Sequence, residues 1–294
     1  KKTFFATLCF GYLFSILFSL ENATNRTQVE RVKSVVKTAN SYFTSMENPD
    51  NFGKLEDVRN DPSKLKPFLT VVSRKSNRPN PSDQEGIDVF DRYFWGMRNG
   101  IVLELGALNG RKYSESLGMV GAGWHRILIE ASPYFSSHFE KFSPDSYSFG
   151  TAICEEDTKL HFKDQAATGG IIEFMPQSLI DIHHQDIKST PKHMWKTLPF
   201  VYEIECLPLH AILKHTRVQH INFFILDVEG AELSVLKTIK FDNIIFDVIT
   251  IETDPENRPP GYADKVTAYL APYGYNKVWV KGRNTWYTYK DFVP

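Results

Sequence analysis

The sequence is poor in cysteine and carries almost no net charge. It has three cysteines and no Cys-X-X-Cys pair, which argues against a disulfide-dense scaffold and against a cysteine-based zinc site. Its 34 basic and 35 acidic side chains give a formal charge of −1, so no basic field attracts nucleic acid, and no nucleic-acid partner is expected. The 294 residues, 42% of them hydrophobic, suffice for one sizeable core and a flanking region.

A hydrophobic segment stands at the N-terminus. Lys1 and Lys2 precede an uncharged stretch from Thr3 to Leu20, which Glu21 ends. Its length lies between a secretory h-region of about 7–15 residues and a membrane span of about 17–25. We expect an uncleaved signal-anchor over residues 1–26, with the lysines in the cytosol and the rest of the chain in the lumen. A cleaved signal peptide and a buried helix of the globular domain are the alternatives.

Further features agree with a luminal location. Asn22-Ala-Thr24 and Asn25-Arg-Thr27 match the N-glycosylation pattern, so Asn22 and Asn25 are candidate acceptors. An oxidising lumen would allow Cys154 and Cys206 to form a disulfide, and two free buried thiols are the alternative. We therefore expect a protein of the secretory pathway, either a single-pass type II membrane protein of the endoplasmic reticulum or Golgi, or a secreted one.

The rest of the chain divides into a stem and one domain. Residues 27–81 combine a short helical pattern with a stretch rich in Asn, Asp, Pro and Ser, typical of a linker. From residue 82 to 294, apolar strands alternate with helices, which predicts an α/β fold with a parallel sheet covered on both faces. A closing hairpin, Tyr275–Val280 with Thr285–Tyr289, adds an antiparallel edge. We predict a Rossmann-like domain with a mostly parallel seven-stranded sheet.

Ligands of such folds bind beyond the carboxyl ends of the strands, where this chain lacks a dinucleotide fingerprint. The first strand ends in Glu104-Leu-Gly-Ala-Leu-Asn-Gly110, with only Gly106 and Gly110 instead of the three glycines that cradle a pyrophosphate. This spacing disfavours a nicotinamide-dependent reductase. It suits a nucleoside ligand without a diphosphate, such as S-adenosylmethionine.

Acidic and small residues follow the next two strands. Glu130, followed by Ala131, ends the second strand about 25 residues after the first, where nucleoside-binding folds place a carboxylate on the ribose hydroxyls. The third predicted strand, Tyr147–Cys154, ends within Gly150–Glu155, where Ala152 and Ile153 can let an adenine edge meet the backbone. Two further acids, Glu155 and Glu156, either reach the ligand or are solvated.

The fourth strand end is the richest in acids. Asp227 and Glu229 follow the apolar strand Ile221–Leu226 and are predicted to project at the mouth of the cleft. An acid at the position of Asp227 is costly unless a ligand uses it. Glu232 lies in the first turn of the next helix, where complementing the helix dipole is the favoured explanation.

These motifs together resemble the FkbM-type methyltransferase family. The resemblance covers about residues 82–290 and is carried by Asn99–Gly110, Gly123-Trp124, Ile127–Pro133 and Phe224–Leu233, with Leu-Asp-Val-Glu-Gly-Ala-Glu as its most specific part. One departure from the family's common Ser-Gln-X-Gly-X-Asp pattern is Asp83, which stands between Ser82 and Gln84. The resemblance implies a Rossmann-like fold and methyl transfer from S-adenosylmethionine, usually to an oxygen. It implies that Asp227 lies near the transferred methyl, and it implies cofactor roles for a further set, Glu104, Gly106, Ala107, Asn109, Gly110 and Glu130.

An O-methyltransferase must align donor and acceptor and remove the hydroxyl proton. Asp227 or Glu229 can be the base, with His183 or His184 as an alternative. In a secretory compartment a small-molecule or glycan hydroxyl is the expected acceptor, and a carbohydrate is favoured. Phe174 and Trp195, which can stack on a sugar or simply pack, do not decide this. The rival function is a non-catalytic luminal binding domain that retains the fold.

Overall fold

The structure is a computed structural model that describes residues 81–294 apart from residues 145 and 157. The predicted signal-anchor, the candidate glycosylation sites Asn22 and Asn25, and the predicted stem up to residue 80 lie outside the described residues. Within the described part of the chain, no helix combines the length and the apolar character needed to cross a bilayer.

A seven-stranded sheet forms the centre of the domain. Its strand order is β10-β11-β9-β8-β1-β2-β3. The strands are β1 (Ile101–Leu105), β2 (His125–Glu130), β3 (Tyr147–Gly150), β8 (His220–Leu226), β9 (Ile245–Glu252), β10 (Tyr275–Lys281) and β11 (Asn284–Tyr289). The five strands from β3 to β9 are parallel, and β11 pairs antiparallel with both β9 and β10. The predicted fold class is therefore confirmed. Strand order reverses between β1 and β8, which makes their carboxyl ends the expected ligand site.

A second, four-stranded sheet was not predicted. Its order is β4-β7-β5-β6, and its strands are β4 (Ala152–Ile153), β5 (Lys159–Lys163), β6 (Gly170–Ile171) and β7 (Val201–Leu207). The third predicted strand, Tyr147–Cys154, is divided between the two sheets at Thr151. Cys154 and Cys206 form a disulfide, with their Cα atoms 5.7 Å apart, that links the end of β4 to β7.

Helices cover both faces of the large sheet. Those within the described residues are α1 (Pro81–Tyr93), α2 (Pro133–Ser136), α3 (Phe139–Phe142), α4 (Gln177–His183), α5 (Gln185–Ser189), α6 (Leu209–Thr216), α7 (Glu232–Lys237) and α8 (Tyr262–Leu270). Short 3₁₀ turns span Leu117–Ala122, Ala166–Thr168, Lys192–Thr197, Phe241–Asn243 and Ala271–Tyr273.

Alternate side chains of each central strand pack on opposite faces of the large sheet. In β1, Leu103 and Leu105 join a core with apolar residues of α6, α7 and α8, whereas Val102 joins a core with residues of α1. In β8, Phe224 and Phe223 divide in the same way between the two cores. Burial of both faces explains why these strands are almost continuously apolar.

Candidate active site

The carboxyl ends of β1, β2, β4 and β8 meet in one cleft. Eight of the predicted site residues line it: Glu104, Gly106, Glu130, Ala131, Ala152, Ile153, Asp227 and Glu229. Its lining also includes residues that sequence reasoning missed: Leu108, Tyr113, Glu115, Thr151, Phe162, Ala166, Ala167, Gly169, Gly170, Ile171 and Arg283. The second sheet and the turn after β5 thus supply one wall of the cleft.

The first turn is built on close backbone packing. Gly106 has φ +83°, and a Cβ atom there would stand 1.8 Å from the carbonyl oxygen of Asp227, so only glycine fits. Gly110, at φ +70°, would place a Cβ atom 2.2 Å from Ser143 Oγ. Ala107, Asn109 and Gly110 are not among the residues that line the cleft. Asn109 Oδ1 instead accepts hydrogen bonds from the two backbone N–H groups that follow Gly110.

Glu104 anchors the loop after this turn. Its Oε1 accepts a hydrogen bond from the N–H of Glu115 at 2.9 Å, and its Oε2 accepts bonds from the hydroxyls of Ser114 and Ser116 at 2.8 and 2.5 Å. Buried Arg126 donates to both serine hydroxyls and lies 3.5 Å from Glu104 Oε2. Although Glu104 lines the cleft, its carboxylate is engaged by the protein itself, so it holds the wall of the cleft in place.

Glu130 lies at the end of β2 with both carboxylate oxygens oriented. Its Oε2 accepts the N–H of Leu108 at 2.8 Å, and its Oε1 accepts the N–H of Ser132 at 2.7 Å. The side chain is almost fully buried, and burial raises the pKa of Glu130 to about 7, although the backbone hydrogen bonds oppose the shift. Each oxygen has a lone pair left. The ionised group can therefore accept two hydroxyl donors, as a ribose would offer.

Asp227 and Glu229 are joined at the cleft by Glu252, which sequence reasoning missed. One oxygen from each of the three carboxylates lies within 4.8 Å of the others. Burial, and then Glu229, raises the pKa of Asp227 to about 7. Burial, and then Glu252, raises the pKa of Glu229 to about 8, and burial with Asp227 raises that of Glu252 well above its usual value. The cluster thus favours proton uptake or a cationic partner.

Buried Arg258 holds this cluster from behind. Its Nη2 donates to Glu232 Oε1 at 2.7 Å and to Glu252 Oε2, and its Nη1 lies 3.6 Å from Glu229 Oε2. Tyr262 donates to the other oxygen of Glu232 at 2.7 Å. The fully buried Glu232 is therefore a structural ion-pair partner, and the helix-dipole explanation alone does not account for it.

Comparison with known sequences decides the family. A family model described as the methyltransferase FkbM domain matches residues 104–277, more than half of the chain. This chain belongs to the FkbM methyltransferase family. The resemblance seen in the sequence motifs is thereby confirmed. No curated protein matches the sequence.

Several solved methyltransferase structures are similar to this FkbM-family chain. A methyltransferase FkbM from Methylobacillus flagellatus KT is 12% identical with a TM-score of 0.38, and the match covers 79% of this chain and 61% of that one. A TehB-like SAM-dependent methyltransferase from Corynebacterium glutamicum is 10% identical with a TM-score of 0.35, covering 78% and 100%. A SAM-dependent methyltransferase from Aquifex aeolicus is 14% identical with a TM-score of 0.35, covering 77% and 97%. No TM-score here reaches 0.5, and the family assignment rests on the sequence match.

Several candidate residues of this FkbM-family domain lie away from the cleft lining. His184 is fully buried, with Nε2 2.8 Å from the carbonyl oxygen of Thr168, and His183 is exposed on the preceding helix. Burial of His184 disfavours it as the alternative base. Phe174 and Trp195 pack against separate apolar clusters of the second sheet and its helices. The cleft lining includes none of these four side chains.

The residues that sequence reasoning missed at this site differ in how clearly a sequence pattern could have revealed them. Glu252 ends an apolar strand, just as Glu130 does, so the same pattern would have found it. Arg258 follows in a loop, and Arg283 lies in the turn between β10 and β11. Their contacts with Glu252 depend on the fold, and no local pattern announces them.

Proposed function

We propose that this chain is an S-adenosylmethionine-dependent O-methyltransferase. The observation that carries the proposal is the meeting of Glu130 and Asp227 at one cleft, on either side of the Gly106 turn, in a domain of the FkbM methyltransferase family. The two carboxylates suit two separate tasks, one on the nucleoside of the donor and one on the acceptor.

The cleft residues fit the nucleoside part of the donor. Glu130 presents an oriented carboxylate to the ribose hydroxyls. Beside it, Ala152, Ile153 and Phe162 offer small and apolar surface to the adenine ring. The bound donor supplies a methyl group on a sulfonium sulfur. The donor's positive charge also suits the cleft, because its lining has four acids besides Glu130 and only one arginine, Arg283. The four acids are Glu104, Glu115, Asp227 and Glu229, and a fifth, Glu252, lies close to the last two.

Asp227 and Glu229 are our candidates for the group that receives the acceptor's proton. Methyl transfer to a hydroxyl makes that oxygen more acidic as the new bond forms, and a carboxylate within hydrogen-bonding reach accepts the proton. Asp227 Oδ1 is buried and has no hydrogen-bond partner among the described residues, so it is free to accept such a bond. The protein aligns the reacting oxygen with the donor carbon, which accounts for a large part of the rate in reactions of this kind.

A carbohydrate hydroxyl in the secretory pathway is the acceptor class we favour. The Cys154–Cys206 disulfide supports this because disulfides persist in oxidising compartments. The apolar segment before residue 21 and the sequons at Asn22 and Asn25 also support it. We place the protein in the lumen, either anchored through that segment or secreted.

The test combines calorimetry with a transfer assay. Titration with S-adenosylhomocysteine measures cofactor binding, and a labelled methyl donor is then offered with glycans, lipids and small phenols. We expect cofactor binding and label on a glycan hydroxyl. Binding without transfer to any acceptor would favour the non-catalytic luminal domain, and no binding at all would remove the methyltransferase proposal.

A further inference from the structure

Three carboxylates at the cleft each present a buried oxygen that has no hydrogen-bond donor. Within the described part of the chain, these orphaned atoms are Asp227 Oδ1, Glu229 Oε2 and Glu252 Oε1. Buried polar atoms in proteins almost always have a partner, and an unseen ion is one of the few explanations when they do not. Three such atoms on neighbouring acids call for a common partner.

We propose that Asp227, Glu229 and Glu252 form a binding site for a divalent cation, Mg²⁺ or Mn²⁺, at the acceptor side of the cleft. Hard divalent cations of this kind prefer carboxylate oxygens and keep some waters or substrate atoms as ligands. Asp227 and Glu229 line the cleft, so an ion here has open positions toward a substrate.

The spacing of the oxygens suits a single ion. One oxygen from each residue lies within 4.8 Å of the other two. Ligands on opposite sides of Mg²⁺ are about 4.2 Å apart, since each lies about 2.1 Å from the ion. Adjacent ligands are only about 3.0 Å apart, and at most two of the three oxygens can lie opposite each other, so the three side chains must draw together when one ion binds. The backbone holds the residues in place, because Asp227 and Glu229 follow β8 and Glu252 ends the adjacent β9.

The charges around the cluster leave room for a cation. The contact network contains five carboxylates and two guanidiniums, so three negative charges are in excess when every group is ionised. Its members are Asp227, Glu229, Glu232, Glu252, Asp254, Arg258 and Arg283. One divalent ion offsets most of that excess.

The two arginines do not satisfy the orphaned oxygens. Arg258 Nη1 lies 3.6 Å from Glu229 Oε2, beyond hydrogen-bonding distance. Arg283 Nη1 is 3.2 Å from Glu252 Oε1 but without hydrogen-bond geometry, and its side chain is 58% exposed. Arg283 can therefore move aside when an ion binds. Arg258 is fully buried, and it keeps Glu232 and Glu252 in position.

An ion at this site would deepen the proposed function, and its role in methyl transfer rests on that function. A hydroxyl that coordinates a divalent cation is held in one orientation and loses its proton more readily. The ion would thus orient the acceptor oxygen and reduce the basicity that Asp227 or Glu229 must supply. Binding of the ion itself requires only the three carboxylates.

Manganese binding to the full chain tests the site directly. Electron paramagnetic resonance with Mn²⁺ alone measures the free ion, and competition with Mg²⁺ tests selectivity. We expect one Mn²⁺ per chain, with affinity at least 10-fold weaker in Glu229→Gln and in Glu252→Gln. The matched control is Glu203→Gln, an exposed carboxylate paired with Lys159, which should bind Mn²⁺ as the unmodified chain does.

Two results would overturn the site. The first is no Mn²⁺ binding at millimolar concentration, and the second is binding that neither Glu229→Gln nor Glu252→Gln weakens. Circular dichroism checks that each variant is folded, and a rise in melting temperature with added Mn²⁺ gives an independent measure of binding. Calorimetry with S-adenosylhomocysteine in the presence of a chelator separates this proposal from the proposed function. Cofactor binding and methyl transfer without any metal would leave the methyltransferase standing and would remove the ion's role in transfer, whereas the site itself is decided by Mn²⁺ binding.

Discussion

The two acidic regions of the cleft differ in how completely the protein satisfies them. Glu130 has a backbone N–H on each oxygen, at 2.8 and 2.7 Å, so the side chain is oriented before any ligand arrives. Asp227, Glu229 and Glu252 each keep a buried oxygen without a donor. Burial raises the pKa in both regions, but only in the second do neighbouring carboxylates add to the shift as its second cause.

Under the proposed function, this difference assigns donor binding to Glu130 and the chemical step to the cluster that contains Asp227. A carboxylate already fixed by backbone donors suits a ligand part that does not react, because its geometry need not change during turnover. A cluster of close carboxylates with unsatisfied oxygens has a high free energy when empty of protons or cations. It therefore gains most from binding a proton or a cation. Variants of the two regions should affect different measured quantities.

The largest effect is expected from Asp227→Asn. This change keeps the shape of the side chain but removes its capacity to accept a proton, and general-base removal typically costs about 10²–10⁴-fold in rate. We expect kcat for the identified acceptor to fall within that range while the dissociation constant for S-adenosylhomocysteine changes less than about 3-fold. Asp242→Asn, at an exposed position, is the control. Retained turnover in Asp227→Asn would remove this residue from the reaction.

Arg258→Gln tests whether the cluster also carries part of the stability. Removing the buried guanidinium leaves Glu232 and Glu252 without their cation, and breaking a buried pair in this way costs about 3–5 kcal/mol. Urea unfolding measures the change, with the exposed Arg111→Gln as the control. Adding Glu232→Gln to Arg258→Gln should recover part of the loss, since it removes one uncompensated charge. A double variant no more stable than Arg258→Gln would argue against that electrostatic account.

Sequence reasoning predicted the central sheet and the acids at its edge but missed the second sheet. β1, β2, β8 and β9 are strands of five to eight residues, mostly apolar and buried on both faces, and their pattern predicts both the sheet and the acids at its carboxyl edge. The second sheet was missed because β4 and β6 are only two residues long, too short for a periodicity. The positions of Glu130 and Asp227 in the cleft were therefore predictable.

The arginine partners of the acidic cluster at Glu252 were not predictable from the sequence. Arg258 and Arg283 reach Glu252 from loops that follow different strands, and such a contact is set by the assembled fold. The first turn shows the same limit in another form. Gly106 is needed because the backbone of Asp227 passes beside it, more than a hundred positions later in the chain. The spacing of Gly106 and Gly110 therefore reports close packing as much as ligand binding.

On the ribose side, Glu130→Gln is expected to weaken cofactor binding and spare the chemical step. Hydrogen bonds to a charged group contribute about 1.5–3 kcal/mol, which corresponds to roughly a 10–100-fold change in the dissociation constant. Calorimetry with S-adenosylhomocysteine measures this change, and the exposed Glu140→Gln is the control. At saturating donor, kcat should stay within about 3-fold of the original value. Unchanged affinity would show that Glu130 does not contact the ribose.

The smallest effect concerns pH. Burial raises the pKa of Glu130 to about 7, so the cofactor-free domain holds a proton on this group at pH 6 and releases it by pH 8. Because the pKa of Glu130 is higher in the folded than in the unfolded protein, proton binding to Glu130 stabilises the fold. This contribution to the free energy of unfolding is complete below the unfolded pKa of about 4.5 and is lost as the pH rises through about 7. The ribose hydroxyls donate to the ionised form, so cofactor binding works against this preference and expels the proton.

Affinity for S-adenosylhomocysteine should therefore increase by up to about 10-fold between pH 6 and pH 8. Glu130→Gln should flatten that part of the dependence, and the difference between the two profiles isolates Glu130 from other groups that titrate nearby. Calorimetry at pH 6 in buffers with different ionisation enthalpies measures the proton that is released on binding. If affinity changed equally with pH in the unmodified chain and in Glu130→Gln, the ribose would not select the ionised carboxylate. The contrast between the two acidic regions would then rest on Asp227 and its neighbours alone.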